Sequence, residues 1–159
     1  MTSLWIAAIG IFGTLAGSVV TQVLQARAAD RRGHLEERRR VSDLRREALA
    51  LFADALMSYR KAQLHNWHEA KSRGVDPDET DAAAELRDLR AKAWSAFYRV
   101  QLLWQDNSVV GGARKLVDAV TDLKLLDDKE AVGESADQVR EDLSLVMDQG
   151  RDALDSDNG

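Results

Sequence analysis

The feature that most constrains this chain is a run of 21 residues, 4–24, without one charged side chain: LWIAAIGIFGTLAGSVVTQVL. As a helix it reaches about 32 Å, against a hydrocarbon core of about 30 Å. It carries ten large apolar residues, Leu4, Ile6, Ile9, Ile11, Phe12, Leu15, Val19, Val20, Val23 and Leu24. Together these favour insertion by about 3–6 kcal/mol before the small polar residues subtract from it. Trp5 stands near one end, as an interfacial anchor does. The run predicts a single transmembrane helix within residues 1–24. A cleaved secretory signal fits less well, because residues 1–3 hold no Lys or Arg and the apolar run exceeds the usual signal core. A buried helix of a soluble core is the third reading.

Charge sets the expected orientation. No basic side chain precedes the run, and Arg27, Arg31, Arg32, Arg38, Arg39, Arg40, Arg45 and Arg46 follow it. The excess of Arg beside a span marks the cytoplasmic side, so the expected location is the cell membrane with the C-terminus in the cytoplasm. Arg27, Arg31 and Arg32 are near enough to meet anionic headgroups. The later arginines lie beyond the reach of a field that decays within about 8–10 Å. Acids interleave with these arginines and aromatics are missing among them, which argues against nucleic acid as a partner.

Residues 25–43 read as a charged helical stalk. Over 25–47, eight Arg face five acids, a net +3. The pairs Arg32/Glu36, Glu36/Arg40, Arg39/Asp43 and Asp43/Arg46 recur at helical spacing and suit an exposed helix. From residue 44 the apolar positions widen into the stripe of a core-facing helix: Leu44, Ala48, Leu51, Phe52, Ala55, Leu56 and Tyr59. This helix is expected to close near Gly74. Asp76 and Pro77 suit the cap and first position of a second helix, with a stripe of Ala82, Leu86, Leu89, Ala93, Phe97, Val100 and Trp104. A third helix is expected over 109–125, with Val109, Ala113, Leu116, Val117, Val120 and Leu123 inward, and a fourth over about 134–154 after a loop at Asp127, Asp128 and Gly133. Its inward positions are Ala136, Val139, Leu143, Val146 and Ala153. Residues 156–159 read as a disordered tail. No strand pattern competes. The expected fold is all-α: an N-terminal transmembrane helix, the stalk, and an antiparallel three- or four-helix bundle over 44–155.

The chain has no Cys, which excludes disulfides, Cys-ligated zinc, iron–sulfur clusters and Cys nucleophiles. Phosphate-binding loops, nucleophile elbows and calcium loops have no counterpart in it. No catalytic residue, metal ligand or cofactor is therefore expected, and the chain does not read as an enzyme. His65, His68 and Glu69 share a helical face, but the spacing reads as a surface cluster. Trp94, Phe97, Tyr98 and Trp104 read as core. In the span, Gly10, Gly13, Gly17 and Thr21 offer small residues at helix-packing spacing, so a homo-oligomer formed through the span is expected beside contact with the lipid bilayer.

The stretches RAADRRGHLEERRRVSDLRREALALFADAL and RVQLLWQDNSVVGGARKLVDAV resemble a group of small actinobacterial membrane-anchored helical proteins of unknown function. The resemblance covers most of the chain and implies a single-pass protein facing the cytoplasm, with no active site. Two functions then compete. One is a membrane-anchored interaction or scaffold protein with an unidentified protein partner. The other is an envelope protein of a phage or mobile element, such as a spanin-like lysis factor, with the charged helices outside the membrane. The Arg-rich flank favours the first.

Overall fold

The computed structural model describes the backbone of residues 2–157 and the side chains of residues 36–156. It contains four α-helices: α1 (Thr2–Arg73), α2 (Ala83–Leu103), α3 (Asn107–Asp122) and α4 (Lys129–Asp157). Short 3-10 turns at Pro77–Glu79 and Leu123–Leu125 complete the described elements. The chain divides into two compact units, residues 1–40 and 41–159. The all-α reading holds. Among the described residues, no helix is long and apolar enough to cross a membrane. Residues 4–24, where the span is expected, lie outside the residues whose side chains are described.

Within the second unit the helices alternate in direction. Arg45, early in this part of α1, reaches the end of α2 at Leu103. Tyr59 meets Thr121 near the end of α3, and Arg60 meets Ala136 near the start of α4. The core is a single cluster. It takes Ala48, Leu49, Phe52, Leu56 and Tyr59 from α1, and Ala93, Phe97, Val100 and Trp104 from α2 and its end. From α3 and the turn after it come Val109, Ala113, Leu116, Val117, Val120 and Leu123; α4 adds Ala136, Val139, Leu143, Val146 and Leu154. All six expected inward positions of α3 are buried.

The buried face of α1 is rotated from the expected one. Leu44 and Leu51 are exposed, and Leu49 is buried instead. Ser42, Arg60, Gln63 and Asn66 share the buried face. Leu86 and Leu89 of α2 are half-buried against the core, and Ala153 of α4 is half-buried beside buried Leu154.

The helix ends follow local chemistry. Gly74 adopts a positive φ of 65°. It lets the Val75 N–H turn back to the Ala70 carbonyl at 3.1 Å, the left-handed closure that glycine accommodates without steric cost. Asp76 does cap and Pro77 does begin the next segment, with the Asp76 carboxylate accepting from the Asp78 N–H at 2.8 Å. That segment is a single 3-10 turn and not the start of α2. Extended backbone at Thr80 interrupts it. Thr80 donates to the buried Asn66 Oδ1, and Asn66 Nδ2 donates to the Pro77 carbonyl at 2.9 Å. A side chain of α1 thus holds the turn in place.

α4 begins five residues before the expected position. Asp128 accepts from the Ala131 N–H at 3.0 Å, and Gly133 lies inside the helix. An isolated glycine costs a helix only about 1 kcal/mol, which an acidic cap and a buried stripe offset. The same helix runs on to Asp157.

Two neighbouring glycines separate packing from propensity. A Cβ at Gly112 would stand 2.6 Å from Val146 Cγ2, whereas one at Gly111 meets nothing within 4 Å. Val is stiff at χ1 and cannot swing aside. Gly111→Ala is expected to raise stability by about 0.5–1 kcal/mol through helix propensity. Gly112→Ala is expected to lower it by about 1–3 kcal/mol through overpacking. Denaturant unfolding of the two variants checks the opposite signs.

The α3 cap predicts a pH effect. The Asp106 carboxylate accepts from the Ser108 hydroxyl at 2.6 Å and from the Ser108 N–H at 2.7 Å. These bonds, the hydroxyl first, hold its pKa below the ordinary 3.8. A depressed folded pKa contributes stability that is present above the unfolded value and is lost as pH falls through the folded value. Asp106→Ala is expected to cost about 1 kcal/mol at neutral pH, and Asp106→Asn to cap nearly as well. Unfolding curves of wild type and Asp106→Asn should separate only below pH 3.8, with wild type losing stability relative to the variant.

Candidate interaction surfaces

Polar side chains fasten α1 to each of its neighbours. Arg45 Nε donates to the Leu103 carbonyl at 2.9 Å, and the guanidinium lies 5.6 Å from the centre of the Trp104 ring. A cation at a helix C-terminus satisfies a carbonyl that has no partner within its own helix. Arg45 therefore belongs to the bundle. Arg60 is nearly buried. Its Nε donates to the Ala136 carbonyl at 2.6 Å and its Nη2 to Asp137 at 3.3 Å. Burial lowers its pKa, nearby Arg140 adds to the effect, and Asp137 acts against it. The Tyr59 hydroxyl lies 3.1 Å from Thr121 Oγ1, and burial raises its pKa. Trp67 Nε1 donates to the Leu126 carbonyl at 2.7 Å.

One cleft, about 260 Å³, lies where α1 ends. Trp67, Ala70, Val75, Pro77, Lys71 and Lys124 line it, together with Gly74 and Asp127. Its charges are already matched: Lys71 with Asp127 at 3.0 Å and Lys124 with Asp78 at 3.6 Å. Lys71 Nζ also sits 5.7 Å from the Trp67 ring centre.

A second groove, about 280 Å³, lies between α1 and α2 at the other end of the bundle. Its walls are Leu44, Glu47 and Ala48 on α1 and Arg99, Leu102 and Leu103 on α2. Leu102 is 86% exposed, and Leu44, Leu51 and Tyr98 are also exposed. Single exposed leucines are ordinary on a protein surface; Leu44 and Leu102 on facing walls of one groove, with Leu51 seven residues along α1 from Leu44, form a patch.

The aromatic residues divide. Phe97 and Trp104 are core, Trp94 is half-buried and packs edge-on against Phe97, and Tyr98 lies outside. His65 and His68 are exposed, and Glu69 is bound to Arg73 at 2.7 Å. Among the described residues no three His, Asp or Glu side chains come together as a metal site. Of the expected ion pairs between described residues, Asp43–Arg46 forms at 3.4 Å; Glu36–Arg40 does not close within 4 Å. Trp5, Gly10, Gly13, Gly17, Thr21, Arg27, Arg31 and Arg32 lie outside the residues whose side chains are described.

The fastening residues were hidden from pattern reading. Arg45, Arg60 and Asn66 are polar types that normally occupy a solvated face. A weak signal was available: Arg60, Gln63, Trp67 and Ala70 continue the spacing of Phe52 and Leu56.

No curated protein and no solved structure matches the chain. A family model described as "KilB plasmid transfer protein" matches residues 46–154, about two thirds of the chain. The matched segment falls within the bundle and stops short of residues 4–24, so it does not bear on the expected anchor or on an actinobacterial source. It does replace the looser resemblance to proteins of unknown function with a family tied to a mobile element: the chain belongs to the KilB plasmid transfer protein family.

Proposed function

We propose that the protein is a non-enzymatic component of plasmid transfer, a helical interaction module held at the cell membrane by residues 4–24, with its bundle in the cytoplasm. The observation that carries this reading is the coincidence of the family match, 46–154, with the compact helical unit, 41–159. The membrane part rests on the uncharged run and on the eight arginines that follow it. Gly10, Gly13, Gly17 and Thr21 supply a small-residue face through which two spans associate. Exposed leucines on a core-filled bundle suit a module that works by contact. The mobile-element half of the competing expectation agrees with the family. A spanin-like role requires the bundle outside the membrane, against the Arg-rich flank.

The test has two parts. A C-terminal alkaline phosphatase fusion is expected to be inactive and a C-terminal fluorescent fusion bright at the cell boundary. An active phosphatase overturns the cytoplasmic orientation. Deleting the gene from its element is expected to lower transfer to recipient cells, with recovery from the full chain and not from residues 41–159 alone. Recovery by the truncated form shows that anchoring is dispensable, and unchanged transfer on deletion removes the protein from the process.

A further inference from the structure

The groove between α1 and α2 has walls of opposite charge. On α1, Glu47 stands on the wall, and Asp54 lies seven residues further along the same face. On α2, Arg99 stands on the facing wall, and Lys92 lies seven residues before it. α1 and α2 run antiparallel, so seven residues down one helix match seven residues back along the other. Glu47 is thus level with Arg99, and Asp54 with Lys92. All four are exposed. None has an ion-pair partner among the described residues. Exposed Leu44 and Leu102 line the same groove, and Leu51 lies seven residues further along α1 from Leu44.

We infer that this groove is a self-complementary surface whose occupant is a second copy of the chain, related by a two-fold axis parallel to α1 and α2. Such an axis leaves every residue at its own height and exchanges the walls. The acidic wall of one copy then meets the basic wall of the other, so Glu47 faces Arg99 of the second copy and Asp54 faces Lys92. Leu44 packs on Leu102 across the axis, with Leu51 beside it. The same surface on both partners is what a two-fold contact requires. An apolar centre with charges at its rim is the usual anatomy of such a contact. The rim charges fix the register and exclude the arrangement that sets like walls together. This symmetry leaves the two copies of α1 parallel. The inference uses residues 44–102 alone and stands whether or not residues 4–24 span a membrane.

The lack of native cysteine makes the test direct. Two differently tagged full-length copies are co-expressed, one carrying Glu47→Cys and the other Arg99→Cys, and cells are treated with a short membrane-permeant bismaleimide. Each copy holds one thiol, so a product carrying both tags joins two chains. The expected result is a strong mixed dimer for this pair. A control pair with Asp118→Cys on α3 in place of Glu47→Cys should give little. Charge reversal then tests the register, with Leu44→Cys and Leu102→Cys as the reporting pair. Glu47→Arg alone, or Arg99→Glu alone, is expected to weaken the dimer about fivefold, and the double exchange to restore it. All these positions are exposed, and unfolding curves confirm that the bundle persists. A yield for the 47/99 pair no greater than the control overturns the inference, as a groove filled by a different protein would produce. Equal yields across the charge reversals also overturn it. Labelling of Glu47→Cys by an impermeant maleimide in intact cells would overturn the cytoplasmic reading and leave the dimer standing.

Discussion

The bundle depends on the contact that one face of α1 makes with every later helix. Its apolar row, Ala48, Phe52, Leu56 and Tyr59, is closed off from water. Its polar side chains tie it at successive levels: Arg45 to the end of α2, Tyr59 to α3, Arg60 to α4 and Trp67 to the α3–α4 connection. Burial supplies the larger driving force, but apolar contact is non-directional and tolerates sliding. The bonds are directional, and a buried polar group left unpaired is penalised. Spread along more than twenty residues of α1, they pin its register in a way that the apolar row alone cannot.

Where helices approach most closely, glycine replaces side chains. Gly150 on α4 lies against Leu49 and Trp104, and Gly112 on α3 against Val146. These residues draw helix backbones closer than larger residues permit. The exposed end of the bundle is different. The groove at Leu44 and Leu102 opens where α1 enters the second unit.

Much of this architecture was legible in the sequence. The all-α class, the alternation of direction, the stop at Gly74, the cap at Asp76 and the whole inward face of α3 follow from periodicity and turn chemistry. α3 reads cleanly because its stripe is narrow and its other positions are small or polar. The errors have a common origin in tertiary contacts. Cap chemistry is local and places the start of the second helix at Pro77, whereas Thr80 is turned by Asn66, fourteen residues away. Gly133 looked like a loop because the sequence does not show that the stripe from Val132 to Val146 is buried. The fastening residues were the least legible, since nothing local marks Arg60 or Asn66 as buried. The membrane run is legible by composition alone, and no contact within the bundle bears on it.

The misplaced leucines are instructive for a different reason. Leu44 and Leu51 continue the apolar stripe of α1, and that stripe is real. It is wider than a four-helix bundle can cover, so Leu49, Phe52 and Leu56 turn inward while Leu44 and Leu51 remain at the rim. Leu102 shows the same excess on α2 beside an inward row of Ala93, Phe97 and Val100. A helix that served only its own core could carry polar residues at these positions with no loss of packing, and the neighbouring exposed positions of both helices do carry them. The excess gathers on the two helices that face each other across one groove. Elsewhere the exposed large apolar residues, Leu125 and Leu145, stand apart on the α3–α4 connection and on α4. Apolar surface concentrated on one side of a bundle whose core is already filled belongs to contacts made beyond that bundle.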